Sequence, residues 1–155
     1  MFLLDIGFVE NSNKMKVAQK AFQGNAWEFQ ERFDCIVEAG LDREAVCKMI
    51  KAYPLILSQS KAVIEMKIDF LVNHLRYPLS TVLTFPRFLT YGIKRVKRRV
   101  FMYNWLKDQG TADPRYALST VVSCSDACLL RKYVNCHPNG PEVWEDLKNK
   151  IHLEQ

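Results

Sequence analysis

Five cations crowd one short stretch of this chain, "YGIKRVKRRVFMYNWL", residues 91–106: Lys94, Arg95, Lys97, Arg98 and Arg99. Groups of this kind, at this density, suit one chemistry above others. Arginine forks and lysine point charges neutralise backbone phosphates, and the resulting affinity is dominated by counterion release. The stretch reads as a helix, with Gly92 a serviceable N-cap. A helix N-terminus carries the positive end of the macrodipole, so each exposed cation there is unfavourable by ~0.3–1 kcal/mol.

At about 100° per residue, Ile93, Val96, Val100 and Tyr103 gather on one side as core. Lys94, Arg95, Arg98 and Arg99 gather opposite, with Lys97 at the flank. Phe101, Met102 and Trp105 continue the basic side as apolar surface, so an exposed cationic start and a buried end are expected. A solvated helix face is the alternative use of a charge run. Against it stands the absence of carboxylates: a solubilising face interleaves both signs.

That segregation extends beyond the helix. The formal charge is +5, yet no acidic residue occurs between Asp69 and Asp108. The interval holds Arg76, Arg87, Lys94, Arg95, Lys97, Arg98, Arg99 and Lys107, and the rest of the chain is slightly acidic. A local excess of positive charge points to a polyanion, usually nucleic acid.

Other chemistries are poorly served. Cys124, Cys128, Cys136 and His137 carry ligand atoms, but C-x3-C-x7-C-H is not a zinc spacing, and the cysteines read as small core residues. Neither metal nor cofactor is expected. There is no glycine-rich phosphate loop, no H-E-x-x-H and no nucleophile elbow, so neither catalysis nor a small-molecule substrate is expected. Asp126, Glu142, Glu145 and Asp146 sit at helix starts, where carboxylates complement the dipole. Five cysteines without a disulfide framework point to reduced thiols in an intracellular compartment. No apolar run approaches the ~20 residues of a membrane span, and "MFLLDIGFVEN" has neither a secretory n-region nor a transit-peptide composition.

The elements that must position the cations are helical throughout. Phe29, Phe33, Ile36 and Val37 form one stripe, and Gly40 supplies a turn residue tolerant of positive φ. Asp42 and Ser60 are good N-caps, Ser80 caps a short helix, and Pro54 and Pro86 end helices because the residue before proline avoids the α region. Val63, Ile64, Ile68, Leu71, Val72 and Leu75 face inward; His74 lies near a helix C-terminus, where a cation is favoured. Pro141 opens a final helix carrying Val143, Leu147 and Ile151. Trp27, Trp105 and Trp144 read as packing anchors. No segment alternates with period two, so the chain is all-α.

The helices also recur. Gly7, Gly40, Arg76 and Gly110 close successive helices at spacings of 33, 36 and 34, and Pro54 and Pro86 open "PLIL" and "PRFL" 32 residues apart. A period in the thirties built from short helices is a solenoid signature, because one unit cannot bury its own apolar face. Residues 1–155 are therefore expected to form one helical-repeat domain, and "LLDIGF", entering mid-pattern, reads as the continuation of a longer array.

These residues carry a family likeness. "AGLDREAVCKMIKAYPLIL" followed by "KIDFLV" resembles the repeat of the mitochondrial transcription termination factor (mTERF) family. "YPLSTVLTFPRFLTYGIKRVKRR", "MYNWLKDQG", "LSTVVSCSD" and "YVNCHPNGPEVWEDLK" look like the C-terminal end of plant members, of the mitochondrial type associated with heat tolerance. The resemblance implies a left-handed superhelix of helical repeats whose basic face cradles double-stranded DNA, with structured RNA as the alternative partner. It implies a role in organellar transcription and its termination, in mitochondria or alternatively chloroplasts. It carries phosphate binding onto Lys94, Arg95, Lys97, Arg98 and Arg99, the basic stretch after the proline-leucine turn, and Arg87 just after Pro86 joins them. One position departs from the repeat: Arg76 stands where glycine is usual, adding a cation and straining the turn if φ is positive there. A non-catalytic protein scaffold, offering a concave face to an acidic peptide, is the rival outside nucleic-acid binding.

Overall fold

Helices in the computed structural model break where proline and glycine dictate. It describes residues 12–21, 26–113, 115 and 117–153 together with Asp5, Gly7 and Glu10. Most of the N-terminal "LLDIGF" lies outside the described residues. The chain divides into two compact units, residues 1–90 and 91–155. In the first are α1 (Asn13–Ala21), α2 (Ala26–Glu38), α3 (Arg43–Ala52), α4 (Lys61–Asp69) and α5 (Thr81–Thr84), with 3-10 turns at Pro54–Ser58 and Pro86–Leu89. The second holds α6 (Ile93–Asp108), α7 (Leu118–Ser123), α8 (Asp126–Lys132), a 3-10 turn at Val134–Cys136, and α9 (Gly140–Leu153). Among the described residues there is no strand, and no helix is long and apolar enough to cross a membrane.

The repeat is visible in the backbone itself. Tyr53, before Pro54, has φ −133° and ψ 68°; Phe85, before Pro86, has φ −135° and ψ 69°. Proline forbids the α conformation to its predecessor, and the two sites answer with the same kink. Each kink then buries a pair of side chains, Ile56 with Leu57 and Phe88 with Leu89. The four expected turn residues all have positive φ: Gly7 100°, Gly40 121°, Arg76 62° and Gly110 73°. Arg76 bears the Cβ that makes this region costly, by roughly 1–2 kcal/mol for an L-residue other than glycine.

A second periodicity is a hydrogen bond. On α2, Arg32 Nη1 donates to the Leu57 carbonyl at 2.8 Å. On α4, Lys67 Nζ donates to the Leu89 carbonyl at 3.0 Å. On α6, Arg99 Nη1 donates to the Val121 carbonyl at 3.2 Å. The acceptors stand 32 residues apart each time, on the 3-10 turns Pro54–Ser58 and Pro86–Leu89 and on the short helix α7. Carbonyls at such ends have no intrahelical partner, and a cation from the long helix satisfies one. Lys67 is buried and bonded to Gln59 as well, and burial pushes its ammonium pKa down from the ordinary value.

The expected caps and stripes largely hold. Asp42 accepts from the Ala45 amide and Ser60 from the Val63 amide, while Ser80 occupies an N-cap position without a side-chain bond. Phe29, Phe33, Ile36, Ile64, Ile68 and Leu71 are buried. His74 is exposed, with Nδ1 3.7 Å from the Asp69 carboxylate. Trp27 corrects the expectation of three tryptophan anchors: it is 71% exposed. Trp105 and Trp144 do pack, half-buried, against the cluster of Met102, Leu106, Val121, Leu129 and Val134. None of the five cysteines is in a disulfide. Burial first, then the Glu65 carboxylate, pushes the Cys35 thiol up to about 11.

Gly140 starts α9 against the preceding turn, and a Cβ there would lie 1.8 Å from the Val134 carbonyl oxygen. The obstacle is backbone, which cannot rotate away. Gly140→Ala is therefore expected to destabilise the C-terminal unit by about 2–3 kcal/mol, the upper range for overpacking, measured by chemical denaturation. An unchanged midpoint would contradict this packing.

Candidate nucleic-acid interface

The five cations of α6 divide between two faces. Gly92 caps the helix with extended backbone (φ −63°, ψ 141°) and no side-chain bond, as a residue without a side chain must. Lys94, Lys97 and Arg98 are half-buried at the surface. They are related by three and four residues, so they are neighbours on one strip of helix. Arg98 Nε folds back on the Lys94 carbonyl at 3.2 Å, and neither Lys94 nor Arg98 makes an ion pair with a described carboxylate.

Arg99 goes elsewhere, and this corrects its grouping with the exposed cations. It is 2% exposed. Besides the Val121 carbonyl, Nη1 donates to the carbonyls of Val122, at 3.1 Å, and Cys124, and Nη2 donates to Asp126 Oδ1 at 2.6 Å. Arg95, one turn earlier, is half-buried over the Tyr91 ring at 4.9 Å. Its Nε and Nη2 donate to the same carbonyls of Val122 and Cys124, each at 3.2 Å. The two guanidinium groups thus collect the carbonyl end of α7, the negative pole of that short helix, and the first residue of α8. Part of the unfavourable positive charge at the start of α6 is there to hold the next turn.

Angular position alone does not place Arg99, because a long cation can turn to solvent or to a buried acceptor. Arg95, Arg99, Met102 and Leu106 actually share one stripe, and Met102 and Leu106 are core. The signal that could have found Arg99 is the repeat: it stands 32 residues after Lys67, another cation that reaches a carbonyl 22 residues on. Arg87, in the other unit, is exposed on the turn Pro86–Leu89.

Beside the exposed strip lies a cleft of about 540 Å³ between α6, α8 and α9, walled by Arg98, Leu130, Trp144 and Lys148 among others. Its carboxylates are engaged: Glu145 by Lys148 at 2.6 Å, and Asp126 by Arg99. Lys148 also sits 5.9 Å from the centre of the Trp144 ring. Phe101, on the strip with Lys94, Lys97 and Arg98, is exposed, whereas Met102 is fully buried, against the expectation of an apolar surface there.

Among the described residues no three His, Cys, Asp or Glu side chains stand together as a metal site. Arg99 Nη1 lies 3.6 Å from Cys124 Sγ, Cys136 Sγ donates to the Lys132 carbonyl at 2.9 Å, and the His137 ring packs edge-on to Trp105 at 4.8 Å.

The mTERF family profile matches residues 15–129. The chain is similar to the Arabidopsis thaliana protein named transcription termination factor MTEF18, mitochondrial, with 30% identity over 92% of this chain and 26% of that protein. It is also similar to Arabidopsis thaliana transcription termination factor MTERF15, mitochondrial, with 22% identity over 90% of this chain and 31% of that protein. The chain thus spans about a quarter to a third of the length of these relatives. No solved structure matches significantly.

Proposed function

The chain belongs to the mTERF family, a helical-repeat fold, and from that premise we propose that it is a non-catalytic nucleic-acid-binding module acting in mitochondrial gene expression, with duplex DNA as its ligand. Phosphates are the contacted groups, and occupancy of the duplex is the means by which transcription is impeded or redirected. The observation that carries the reading is the strip Lys94, Lys97 and Arg98: three mutually repelling cations near a helix N-terminus, with no acidic residue between Asp69 and Asp108. Like charges at such spacings each cost a few tenths of a kcal/mol on a helix, and the macrodipole adds to that cost. A polyanion turns both terms favourable. The names of the two relatives support the setting, organellar transcription.

With three phosphate contacts from α6, log K for duplex DNA is expected to fall against log[salt] with a slope of about −2.7, and more steeply if other cations join. Fluorescence anisotropy over a range of salt concentrations measures it, with folded RNA and single strands as competitors. A flat salt dependence would sink the proposal. Preferential capture of folded RNA would move it from transcription to RNA metabolism.

A further inference from the structure

We infer that Arg76 is a phosphate contact, held at a deliberately widened and strained helix end. This rests on the nucleic-acid reading above and extends it to a residue of the N-terminal unit. Two departures from the repeat coincide at this turn. First, α4 runs on into a π-helical turn, Phe70–His74, in which the Leu75 amide reaches back to the Phe70 carbonyl at 2.9 Å. At the corresponding close of α6, the Thr111 amide, in the position of Tyr77, bonds the carbonyl five residues back, Leu106, and the following Ala112 amide shares that carbonyl. Here the Tyr77 amide bonds the carbonyl six residues back, Leu71. The extra residue helps account for the long spacing of 36 between Gly40 and Arg76. π turns are rare and concentrate at functional sites.

Second, the residue that completes the turn is left-handed and is not glycine. Gly7, Gly40 and Gly110 have positive φ without penalty, while Arg76 has φ 62° with a full side chain. Strain of this sort persists where something outside the local backbone favours it. The fold offers Arg76 no such return: it is exposed, and its guanidinium has no hydrogen bond, ion pair or ring contact among the described residues. The carboxylate of Asp69, at the end of α4, accepts from Asn73 Nδ2 and lies 3.7 Å from His74 Nδ1. An always-charged fork without a partner, kept where glycine would be easier, fits an anionic ligand better than a structural purpose. Because Arg76 opens an interval of sequence without any acidic residue, a polyanion is the ligand it fits.

The test uses two readouts that should move in opposite directions. In the full 155-residue chain, Arg76→Gly is expected to raise the melting temperature by about 2–4 °C. It should also weaken binding of a 30-base-pair duplex about five- to tenfold and make the salt slope shallower by about 0.9. Arg76→Lys should retain most of the affinity without the thermal gain. If Arg76→Gly stabilises the chain and leaves affinity and slope unchanged, the residue is merely tolerated and the inference falls. If it destabilises the chain, the residue is structural and the inference falls equally. Binding that responds to Lys94→Glu or Arg98→Glu but not to Arg76→Gly leaves the proposed function standing alone. A wild-type chain that binds no duplex removes both.

Discussion

Arg99→Ala is expected to destabilise the C-terminal unit by about 3–5 kcal/mol. The side chain is buried against α7 and α8, and truncating a large buried side chain leaves a cavity costing about 2–5 kcal/mol. A buried acceptor stripped of its donor adds about 1–3 kcal/mol. Arg95 still reaches the carbonyls of Val122 and Cys124, so the main loss falls on the Val121 carbonyl, which keeps only the weak Cys124 thiol donor at 3.7 Å. Loss of the Asp126 ion pair contributes little, because that carboxylate is 86% exposed and returns to water. Arg99→Met, which keeps most of the volume, should cost about 1–3 kcal/mol, the donor loss alone. Denaturation followed by tryptophan fluorescence in a Trp27→Phe background reads this unit, since Trp105 and Trp144 both lie in it. If Arg99→Ala and wild type unfold together, the clamp is ornamental.

The second large effect has the opposite signature. Reversing Lys94, Lys97 and Arg98 to Glu should lower duplex affinity about a thousandfold near 100 mM salt and flatten the salt slope by about 2.7. Stability should hold or rise. Lys94 is in the first turn of α6, where a carboxylate gains about 0.3–1 kcal/mol from the dipole. The decisive comparison is between the two variants: one unfolds the unit, the other disarms it. Should the triple reversal bind as wild type does, the strip is a solvated face after all. Should it unfold, the strip is part of the packing.

Much of the architecture was legible in the residues. Proline dictates its predecessor's conformation through a local clash, so Pro54 and Pro86 announced two kinks with nearly the same dihedral angles. Glycine at Gly40 and Gly110 announced positive φ, and Arg76 in their register followed from spacing alone. Aspartate and serine caps bond within three residues, so Asp42 and Ser60 were readable too. The family motifs lie in the same local signals.

The site was legible only in part. Chain sequence determined which segments are helical, where they turn, and that one helix begins with five cations and no carboxylate of its own in that stretch. Tertiary structure alone decided which of those cations meet solvent. Long side chains on adjacent helical angles can turn either way, and the choice depends on acceptors more than twenty residues distant. The carbonyl end of α7 attracts Arg95 and Arg99, leaving Lys94, Lys97 and Arg98 outside. Trp27 was misplaced for the same reason: a helical stripe says which residues share a side, but only the neighbouring elements decide whether that side is covered.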